Sequence, residues 1–220
     1  NVGIIAAAGC AFSPFLIFYS QEARAYSVML FFVAAAMIFY LRAQKTNDIK
    51  NWALFGVFSA LAFWAHFYAF VIVAALFLYE FAMQVSRFRT GLKNLKMLVL
   101  GAVVFIVLCL PLILVTIQLF ITRTSSAPTY GIQGLGIITE TFRQASGFND
   151  IAMFILVALF ILGIIQAFFT DAKKGIFLVS LTVLTFVISF VLSFKMPMIP
   201  RYLIFFSIVF FIGIALSYKI

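Results

Sequence analysis

Long apolar runs with almost no charge follow one another along this chain, and they limit its fold more than any other feature. The longest, MLVLGAVVFIVLCLPLILVTIQLFI, covers residues 97–121 and holds no charged side chain. A helix needs about 20 apolar residues to cross the ~30 Å hydrocarbon core of a bilayer. Every backbone N–H and C=O must find its partner within the protein there, and runs without apolar and polar alternation favour helices over a closed barrel. The sequence therefore predicts an all-α, polytopic transmembrane helix bundle.

Eight apolar segments, of which the first is partial, are predicted to cross the membrane, which makes about seven spans plus a partial N-terminal one. They are roughly residues 3–18, 26–43, 52–66, 68–85, 97–121, 151–170, 176–194 and 202–218. Hydrophobic residues make up 66% of the 220 residues and charged ones only 10%, unlike most soluble domains. We expect a single transmembrane domain over residues 1–220. Because the chain begins inside an apolar run and without Met, we expect it to be an internal or truncated part of a longer protein.

The net charge of +9 is carried by the loops between the apolar runs. The basic residues form no stripe with interleaved aromatic residues, which argues against nucleic acid as a partner and for orientation in a bilayer. One set of alternate loops holds ten of them: Arg42, Lys45, Lys50, Arg87, Arg89, Lys93, Lys96, Lys173, Lys174 and Lys219. The other set holds five: Arg24, Arg123, Arg143, Lys195 and Arg201. Because basic loops stay in the cytoplasm, the second set is predicted to face outwards.

The only long loop, residues 122–150, lies on that outer face. Within it, the apolar residues of LGIITETFRQAS fall on one side of a helix: Leu135, Ile138, Phe142 and Ala145. This pattern predicts an amphipathic helix that lies in the membrane interface. Two interpretations stay open, because such a loop either covers a binding site or connects two spans without contact to a substrate.

The stretch SPFLIFYSQEARAYSVMLFF sets polar and charged side chains between two apolar runs. Ser20 is predicted to cap a helix that begins there, with Glu22 in its first turn, where the helix dipole favours a carboxylate. Glu22 and Tyr26 would share a helical face as an i,i+4 pair, and Arg24 would point elsewhere. A helix N-terminus beside an arginine and the Gln21 amide suits an anion, which at headgroup depth is a lipid phosphate. Alternatively, Glu22 only caps its helix and Arg24 extends to the interface.

Two further places on the predicted outer side carry polar side chains. His66, the only histidine, stands at the apex of a short helical hairpin, where it is either part of a site or a hydrogen-bonded structural residue. Arg201 and Tyr202 follow Pro200 at the start of the last span. An outer arginine runs against the positive-inside bias and indicates an anionic partner. Glu80 lies near the cytoplasmic end of its span, which argues against a functional role.

Three of these stretches together, SQEARAYS, the hairpin AHFYA and PRYLIFF, resemble the GT-C superfamily of integral membrane glycosyltransferases. The likeness is to the bacterial and archaeal branch related to protein mannosyltransferases and aminoarabinose transferases. It implies transfer of a hexosyl or pentosyl group from a polyprenyl-phosphate carrier to an acceptor glycan, lipid or protein on the outer or lumenal face. It also implies a multi-pass protein in the cytoplasmic membrane of a prokaryote.

The same resemblance implies roles for the polar residues. Arg24 and Arg201 would stabilise the carrier phosphate as leaving group, because charge that develops there needs positioned donors. Glu22 and Gln21 would organise the site. The implied donor-binding residues are thus Gln21, Glu22, Arg24, Tyr26 and Arg201, and the implied lining residues are His66 and Tyr202.

A carboxylate base for the acceptor is also implied by the resemblance. In the family an acidic motif of the first outer loop carries this base, before the region that matches here, so we expect the base upstream of Asn1. Glu22, Glu140 and Asp150 are the acidic residues on the predicted outer side, and none of them matches that motif. No cofactor is implied, no metal ligand is assigned, and a divalent metal is left open.

Two other classes of function stay open at the level of sequence. A flippase or transporter of a lipid-linked substrate would need the same phosphate site without chemistry, and a structural bundle subunit would need none. An acidic first outer loop would favour the enzyme, whereas similarity between two halves, which is absent, would favour a transporter. The sequence holds no Walker A loop, GxGxxG, HExxH, CxxC or GxSxG motif, which excludes the common nucleotide-driven and hydrolytic chemistries.

Overall fold

The computed structural model describes residues 1–22, 24–86, 91–123 and 128–218, and every regular element in these ranges is helical. The all-α class predicted from the apolar runs is confirmed. The α-helices are α1 Val2–Phe12, α2 Pro14–Ser20, α3 Tyr26–Thr46, α4 Ile49–Ala65, α5 Phe70–Ser86, α6 Gly91–Arg123, α7 Gly136–Ala145, α8 Asp150–Thr170, α9 Ala172–Ser193 and α10 Phe206–Ser217. Two 3₁₀ helices, Phe67–Ala69 and Pro200–Leu203, precede α5 and α10.

Within the described ranges, five helical stretches are long and apolar enough to cross a membrane: Tyr26–Thr46, Phe67–Ser86, Leu95–Thr122, Asp150–Thr170 and Ala172–Ser193. α1 and α2 are bent by 55° relative to each other and would together make a sixth span. The protein is therefore an integral, multi-pass membrane protein. Helices stand at all the predicted positions, but α4 and α10 have only 17 and 12 residues. The described residues thus hold fewer full-length spans than the seven predicted.

The two short helices have local causes. α4 ends because His66 takes an extended backbone conformation, with φ −156° and ψ 124°. α10 begins only at Phe206 because Pro200 starts a 3₁₀ turn that runs to Leu203, and proline favours the first position of a helical turn. Among the basic residues used to predict orientation, Arg87, Arg89 and Lys219 lie outside the described residues.

Capping side chains set two breaks between helices, one between α1 and α2 and one between α3 and α4. The Ser13 hydroxyl accepts a hydrogen bond from the Leu16 N–H at 3.4 Å, and Pro14 follows at the first position of α2. The Asp48 carboxylate accepts from the Asn51 N–H at 2.6 Å and so starts α4 directly after α3. Both are favourable N-caps, because they satisfy backbone donors that the helix itself leaves unpaired.

The chain forms two compact units, Asn1–Arg24 with Ala127–Ile220, and Ala25–Ser126. In the first unit α8 packs against α9 and α10, and α1 packs against α10. Gly163 of α8 lies directly against the backbone of Gly213 in α10. Small residues allow such close approach of membrane helices, whose association depends on packing because lipid supplies no hydrophobic drive between them.

In the second unit α4 packs against both α3 and α6. Gly56 of α4 lies against the carbonyl oxygen of Gly101 in α6. The fully buried Tyr40 of α3 meets the rings of Trp52 and Phe55 of α4, at 6.2 and 5.4 Å between ring centres. The second unit is therefore built around α4, with α3 and α6 packed against it and α5 added through the hairpin at His66.

Single cysteines would test the orientation of this bundle, after Cys10 and Cys109 are replaced. We expect an impermeant maleimide added to intact cells to label a cysteine at Pro197 or at Tyr130, which is 58% exposed. A cysteine at Asn47 should react only after permeabilisation, since ten of the 15 basic residues lie in loops on its side. Labelling of permeabilised cells, where all positions should react, is the control. The opposite pattern would invert the orientation.

Candidate functional site

Ser20 does not cap the helix that was predicted to begin there. It is the last residue of α2, and its hydroxyl donates to the Ile17 carbonyl at 2.7 Å. α3 begins only at Tyr26, with Ala25 as its N-cap residue and no side-chain cap. The predicted first-turn position of Glu22 and its i,i+4 pairing with Tyr26 are therefore wrong. The cause is that α2 continues through this serine, so the hydroxyl serves the end of its own helix.

Glu22 and Arg24 form a pair in the link between α2 and α3, so the prediction that Arg24 points elsewhere is also wrong. The Arg24 Nε lies 3.7 Å from the Glu22 Oε2, and the Arg24 backbone N–H donates to the Glu22 carbonyl at 2.7 Å. The arginine side chain is 56% exposed and the glutamate side chain 28%. Gln21 beside them is exposed. The link thus holds an exposed guanidinium against a more buried carboxylate.

Arg201 lies in the 3₁₀ helix Pro200–Leu203 of the same unit. Its guanidinium carbon is 5.9 Å from the centre of the Tyr202 ring, within the range of a cation–π contact. Its Nε is buried and has no hydrogen-bond partner among the described residues. Because buried N–H groups nearly always have a partner, this one is suited to a ligand atom or to water.

The outer loop contains the predicted helix, α7, and its predicted apolar face is confirmed at Phe142 and Ala145 but not at Leu135. Ile137, Thr141 and Ala145 are buried, whereas Leu135, which was predicted to share the apolar face, is 69% exposed. Packing within the protein sets this face, because the Phe142 ring lies between 5.4 and 6.2 Å from four rings of α8, α9 and α10. The location of α7 in the membrane interface stays a prediction.

α7 contacts both α2, which leads into the Glu22–Arg24 link, and the 3₁₀ helix that holds Arg201. Four buried polar atoms on or next to these elements have no hydrogen-bond partner in the described part of the chain: Glu22 Oε2, Gln144 Oε1, Ser146 Oγ and Arg201 Nε. Such atoms are rare in folded proteins and are suited to water or a ligand; of the four, Glu22 Oε2 already has the Arg24 guanidinium at 3.7 Å. Four of the eight such atoms in the described part of the chain thus lie on α7 or directly after it, in the link that follows α2, or in the 3₁₀ helix of Arg201.

The described part of the outer loop before α7 is hydrogen-bonded to residues that precede Arg201 in the sequence. The Ile132 N–H donates to the Met198 carbonyl at 2.7 Å, and the Gly134 N–H donates to the Ser193 hydroxyl at 2.9 Å. Gly131, with φ 97°, lies directly against Met198, an approach and a conformation that suit glycine alone. The loop is therefore packed onto its own unit, and its contact with a substrate stays a prediction.

A network of charges on α7 escaped the sequence analysis. The Arg143 guanidinium donates to Asp150 at 2.9 Å and to Glu140 at 3.3 Å, and the Gln144 amide donates to Glu140 at 3.0 Å. The hydrogen bond to Asp150 and the charge of Glu140 raise the pKa of Arg143. The i,i+3 and i,i+4 spacings within the predicted helix were the sequence feature that could have revealed it.

His66 stands at the apex of the hairpin, as predicted, in the second unit. The backbone N–H of His66 donates to the Ala62 carbonyl at 3.0 Å, and the ring Nδ1 accepts from the backbone N–H of Tyr68 at 3.4 Å. Its ring is 5.1 Å from the ring of Tyr26, which is only 1% exposed. The two predicted residues Tyr26 and His66 thus lie together, and backbone contacts hold the histidine in place.

The predicted site residues accordingly fall into three groups: Gln21, Glu22 and Arg24; Arg201 and Tyr202; and Tyr26 with His66. The first two groups belong to the first unit and the third group to the second unit. In the ranges that the structure describes, no group of three or more His, Cys, Asp or Glu side chains could hold a metal ion.

Comparison with known proteins identifies one family. Residues 1–114 match the family model described as dolichyl-phosphate-mannose-protein mannosyltransferase. The match covers the Glu22–Arg24 link and the hairpin with His66, and it ends before α7 and Arg201. No curated protein and no solved structure matches the chain significantly.

Proposed function

The chain belongs to the dolichyl-phosphate-mannose-protein mannosyltransferase family, and we propose that it transfers a sugar from a polyprenyl-phosphate carrier to an acceptor on the outer or lumenal face of the membrane. Family membership makes it a membrane glycosyltransferase with a lipid-linked sugar donor. The carrier chemistry, the face and the site residues are the proposal. The sequence resemblance to the prokaryotic branch supports a cytoplasmic membrane as its location.

The Glu22–Arg24 pair is the observation that carries the proposal. An arginine that is 56% exposed and held 3.7 Å from a carboxylate keeps its charge and its planar set of donors accessible. A guanidinium binds phosphate with two parallel N–H donors, which is stronger and more directional than a neutral hydrogen bond. The pair also lies within the residues that match the family model. Glu22 has the role of a positioning residue, and Arg24 contacts the donor phosphate.

Arg201 supplies a second donor to the same phosphate in this proposal. Its support is the buried Nε without a hydrogen-bond partner in the described ranges. A second support is that α7 contacts both the 3₁₀ helix of Arg201 and the helix before the Glu22–Arg24 link. Two arginines are useful in transfer, because polyprenyl phosphate leaves with more negative charge than it carries in the donor.

Charge stabilisation explains how these residues would assist the reaction. The acceptor oxygen forms a bond to the anomeric carbon while the bond from that carbon to the phosphate oxygen breaks. The electron pair of the broken bond stays on the phosphate, and the acceptor proton passes to a base. Donors already placed around the phosphate stabilise this developing charge without reorganisation. The location of the base upstream of Asn1 stays a prediction.

The remaining predicted residues have weaker support. Tyr202 lies beside Arg201 and can position its guanidinium through the ring contact at 5.9 Å. Tyr26 and His66 are paired with each other in the second unit, and their role in the sugar site stays a prediction. The flippase, transporter and structural subunit considered from sequence have no comparable support, because the family match favours an enzyme.

Transfer by purified full-length protein in vesicles would test this function. We expect radiolabelled sugar to move from a polyprenyl-phosphate donor to an added acceptor, and we expect a nucleotide sugar to give no transfer in its place. Hexosyl and pentosyl donors should be compared side by side, since the resemblance implies both. Transfer from the nucleotide sugar alone, or movement of the lipid across the vesicle without transfer, would contradict the proposal.

A further inference from the structure

A buried carboxylate in the second unit has no role in the proposed site. Glu80 of α5 is 3% exposed in a helix that is otherwise apolar over most of its length. Its Oε2 accepts from the Tyr40 hydroxyl at 2.7 Å and from the Gln44 amide at 2.6 Å, both on α3. Its Oε1 accepts from the amide of Gln84, one turn further along α5. All three donors are neutral.

This cluster and the hairpin with His66 lie far apart on the same two segments of the chain, which are α3 and the stretch from His66 through α5. Tyr26 meets His66 at one end of the pair, and Tyr40 meets Glu80 at the other. Fourteen residues separate the two contacts along each segment, which at about 1.5 Å per helical residue corresponds to roughly 21 Å. The Glu80 cluster is therefore a separate feature at the opposite end of the second unit.

The cluster contains one buried acceptor that has no partner among the described residues. Gln84 is only 6% exposed, and its side-chain oxygen is buried without a hydrogen-bond partner in the part of the chain that the structure describes. Its amide nitrogen bonds to Glu80 Oε1, so the orphan oxygen belongs to a side chain that contacts this carboxylate. No Lys, Arg or His among the described residues forms an ion pair with Glu80. A buried carboxylate is costly to ionise when its described partners are all neutral, and ionisable residues within membrane helices commonly have a function.

We propose that Glu80 and Gln84 bind a small monovalent metal cation, Na⁺ or a related alkali ion. The ligands would be Glu80 Oε1 and the orphan Gln84 oxygen, since hard cations prefer oxygen ligands. Tyr40 and Gln44 hold the other carboxylate oxygen and so fix the orientation of the site. A single carboxylate balances one positive charge, whereas Ca²⁺ and Mg²⁺ sites need more oxygen ligands and stricter geometry. Gln44 is exposed and marks the route to the site.

Cation binding would then tie α3 to α5 by neutralising the charge between them. A ligand that binds only the folded state stabilises it by an amount that grows with its concentration relative to the Kd. Occupancy should consequently raise the unfolding temperature of the protein and leave the outer phosphate site unchanged. The inference does not depend on the proposed transferase activity, because it concerns a different end of a different unit.

Thermal unfolding in detergent would test the site. The full-length protein is heated in NaCl, KCl, LiCl or choline chloride at equal ionic strength. We expect a saturable rise of Tm with Na⁺ relative to choline, of roughly 5–10 °C when Na⁺ is about 100 times its Kd. Binding of ²²Na⁺ should reach one ion per protein. A Tm that is the same in Na⁺, K⁺, Li⁺ and choline would overturn the proposal. The Glu80 carboxylate would then be stabilised by groups of the protein alone.

Two variants and one control make the result specific. Glu80→Gln should abolish the cation-dependent part of Tm and the ²²Na⁺ binding. If this variant does not fold, Gln84→Leu keeps the carboxylate and removes the orphan oxygen, and it should shift the Na⁺ titration to at least tenfold higher concentrations. Glu140→Gln removes a carboxylate elsewhere and should leave the titration unchanged. Retention of wild-type ²²Na⁺ binding in Gln84→Leu would exclude this oxygen as a ligand and overturn the site as proposed.

Discussion

Replacement of Arg24 by alanine in the full-length protein is expected to weaken binding of the polyprenyl-phosphate donor and to slow transfer, each by about ten- to a hundredfold. A charge-assisted hydrogen bond to phosphate contributes roughly 1.5–3 kcal/mol, which corresponds to this range. Because the Arg24 side chain is 56% exposed, its removal leaves no buried cavity, and the unfolding temperature should stay near that of the wild type. Donor affinity, turnover and thermal unfolding in one detergent are the measurements.

Conservative variants separate the charge of this arginine from its geometry. Arg24→Lys should recover only part of the loss, since lysine keeps the charge but lacks the planar pair of donors. Glu22→Gln should reduce affinity less than Arg24→Ala, because it leaves the guanidinium in place and removes only the carboxylate 3.7 Å away. Lys45→Ala, which removes an exposed cation at the other end of α3, is the control and should behave as the wild type.

The alternative interpretation of Arg24 makes a different prediction. If the arginine only extends to the membrane interface, Arg24→Ala would leave donor affinity and turnover near the wild type. Exposed ion pairs contribute little to stability, so Arg24→Ala should not lower Tm much. If activity is lost only in proportion to a drop in Tm, the loss reflects unfolding and gives no support for phosphate binding by Arg24. Either result would move the search for the phosphate site to Arg201.

Positions of the helices could be predicted from sequence because the bilayer sets the length of apolar segments. The predicted span 151–170 coincides with Asp150–Thr170, and 97–121 lies within Leu95–Thr122. The length of an apolar run alone did not show whether the helix within it is long enough to cross the membrane. In the segment 52–66 the backbone turns at His66 after 17 helical residues, and a short run of this kind is compatible with a span or with a shorter packed helix.

Details of the candidate site were harder to predict because they depend on choices between similar local signals. Ser20 was predicted to start a helix, but it is the last residue of α2, and the next helix begins only at Tyr26 without a side-chain cap. Leu135 fits the same apolar face as Phe142 by spacing, but α7 begins only at Gly136, so Leu135 lies before the helix and is exposed, whereas Phe142 packs against other helices. Propensity and periodicity are local, whereas the buried face depends on tertiary contacts.

The partners of Glu80 could not be predicted from the sequence either. Its position in the sequence argued against a functional role, and nothing nearby in sequence except Gln84 identifies its partners. Tyr40 lies 40 residues away and Gln44 lies 36 residues away. Long side chains of α3 and α5 make these contacts in the folded protein, and a single sequence does not specify which side chains meet over such a range.

Substitution of Gly163 by alanine should have the largest effect on stability in this protein. A Cβ at this position would meet the backbone carbonyl of Gly213, which no side-chain rotation can move away. We expect α8 and α10 to separate, at a cost of about 3 kcal/mol or more, and Tm to fall by roughly 6–12 °C. The better helix propensity of alanine, worth about 1 kcal/mol, offsets only part of this loss.

Two other glycines provide a graded control for this prediction. A Cβ at Gly213 would meet the Phe160 ring, a side chain that can shift, so Gly213→Ala should lower Tm less than Gly163→Ala. A Cβ at Gly3 would have none of the described atoms within 4 Å, so Gly3→Ala should leave Tm unchanged or raise it slightly. Since α10 follows the 3₁₀ helix that holds Arg201, Gly163→Ala should also weaken donor binding. A wild-type Tm for Gly163→Ala would mean that α8 and α10 do not touch through their backbones. The position of Arg201 would then not depend on the packing of α10 against α8.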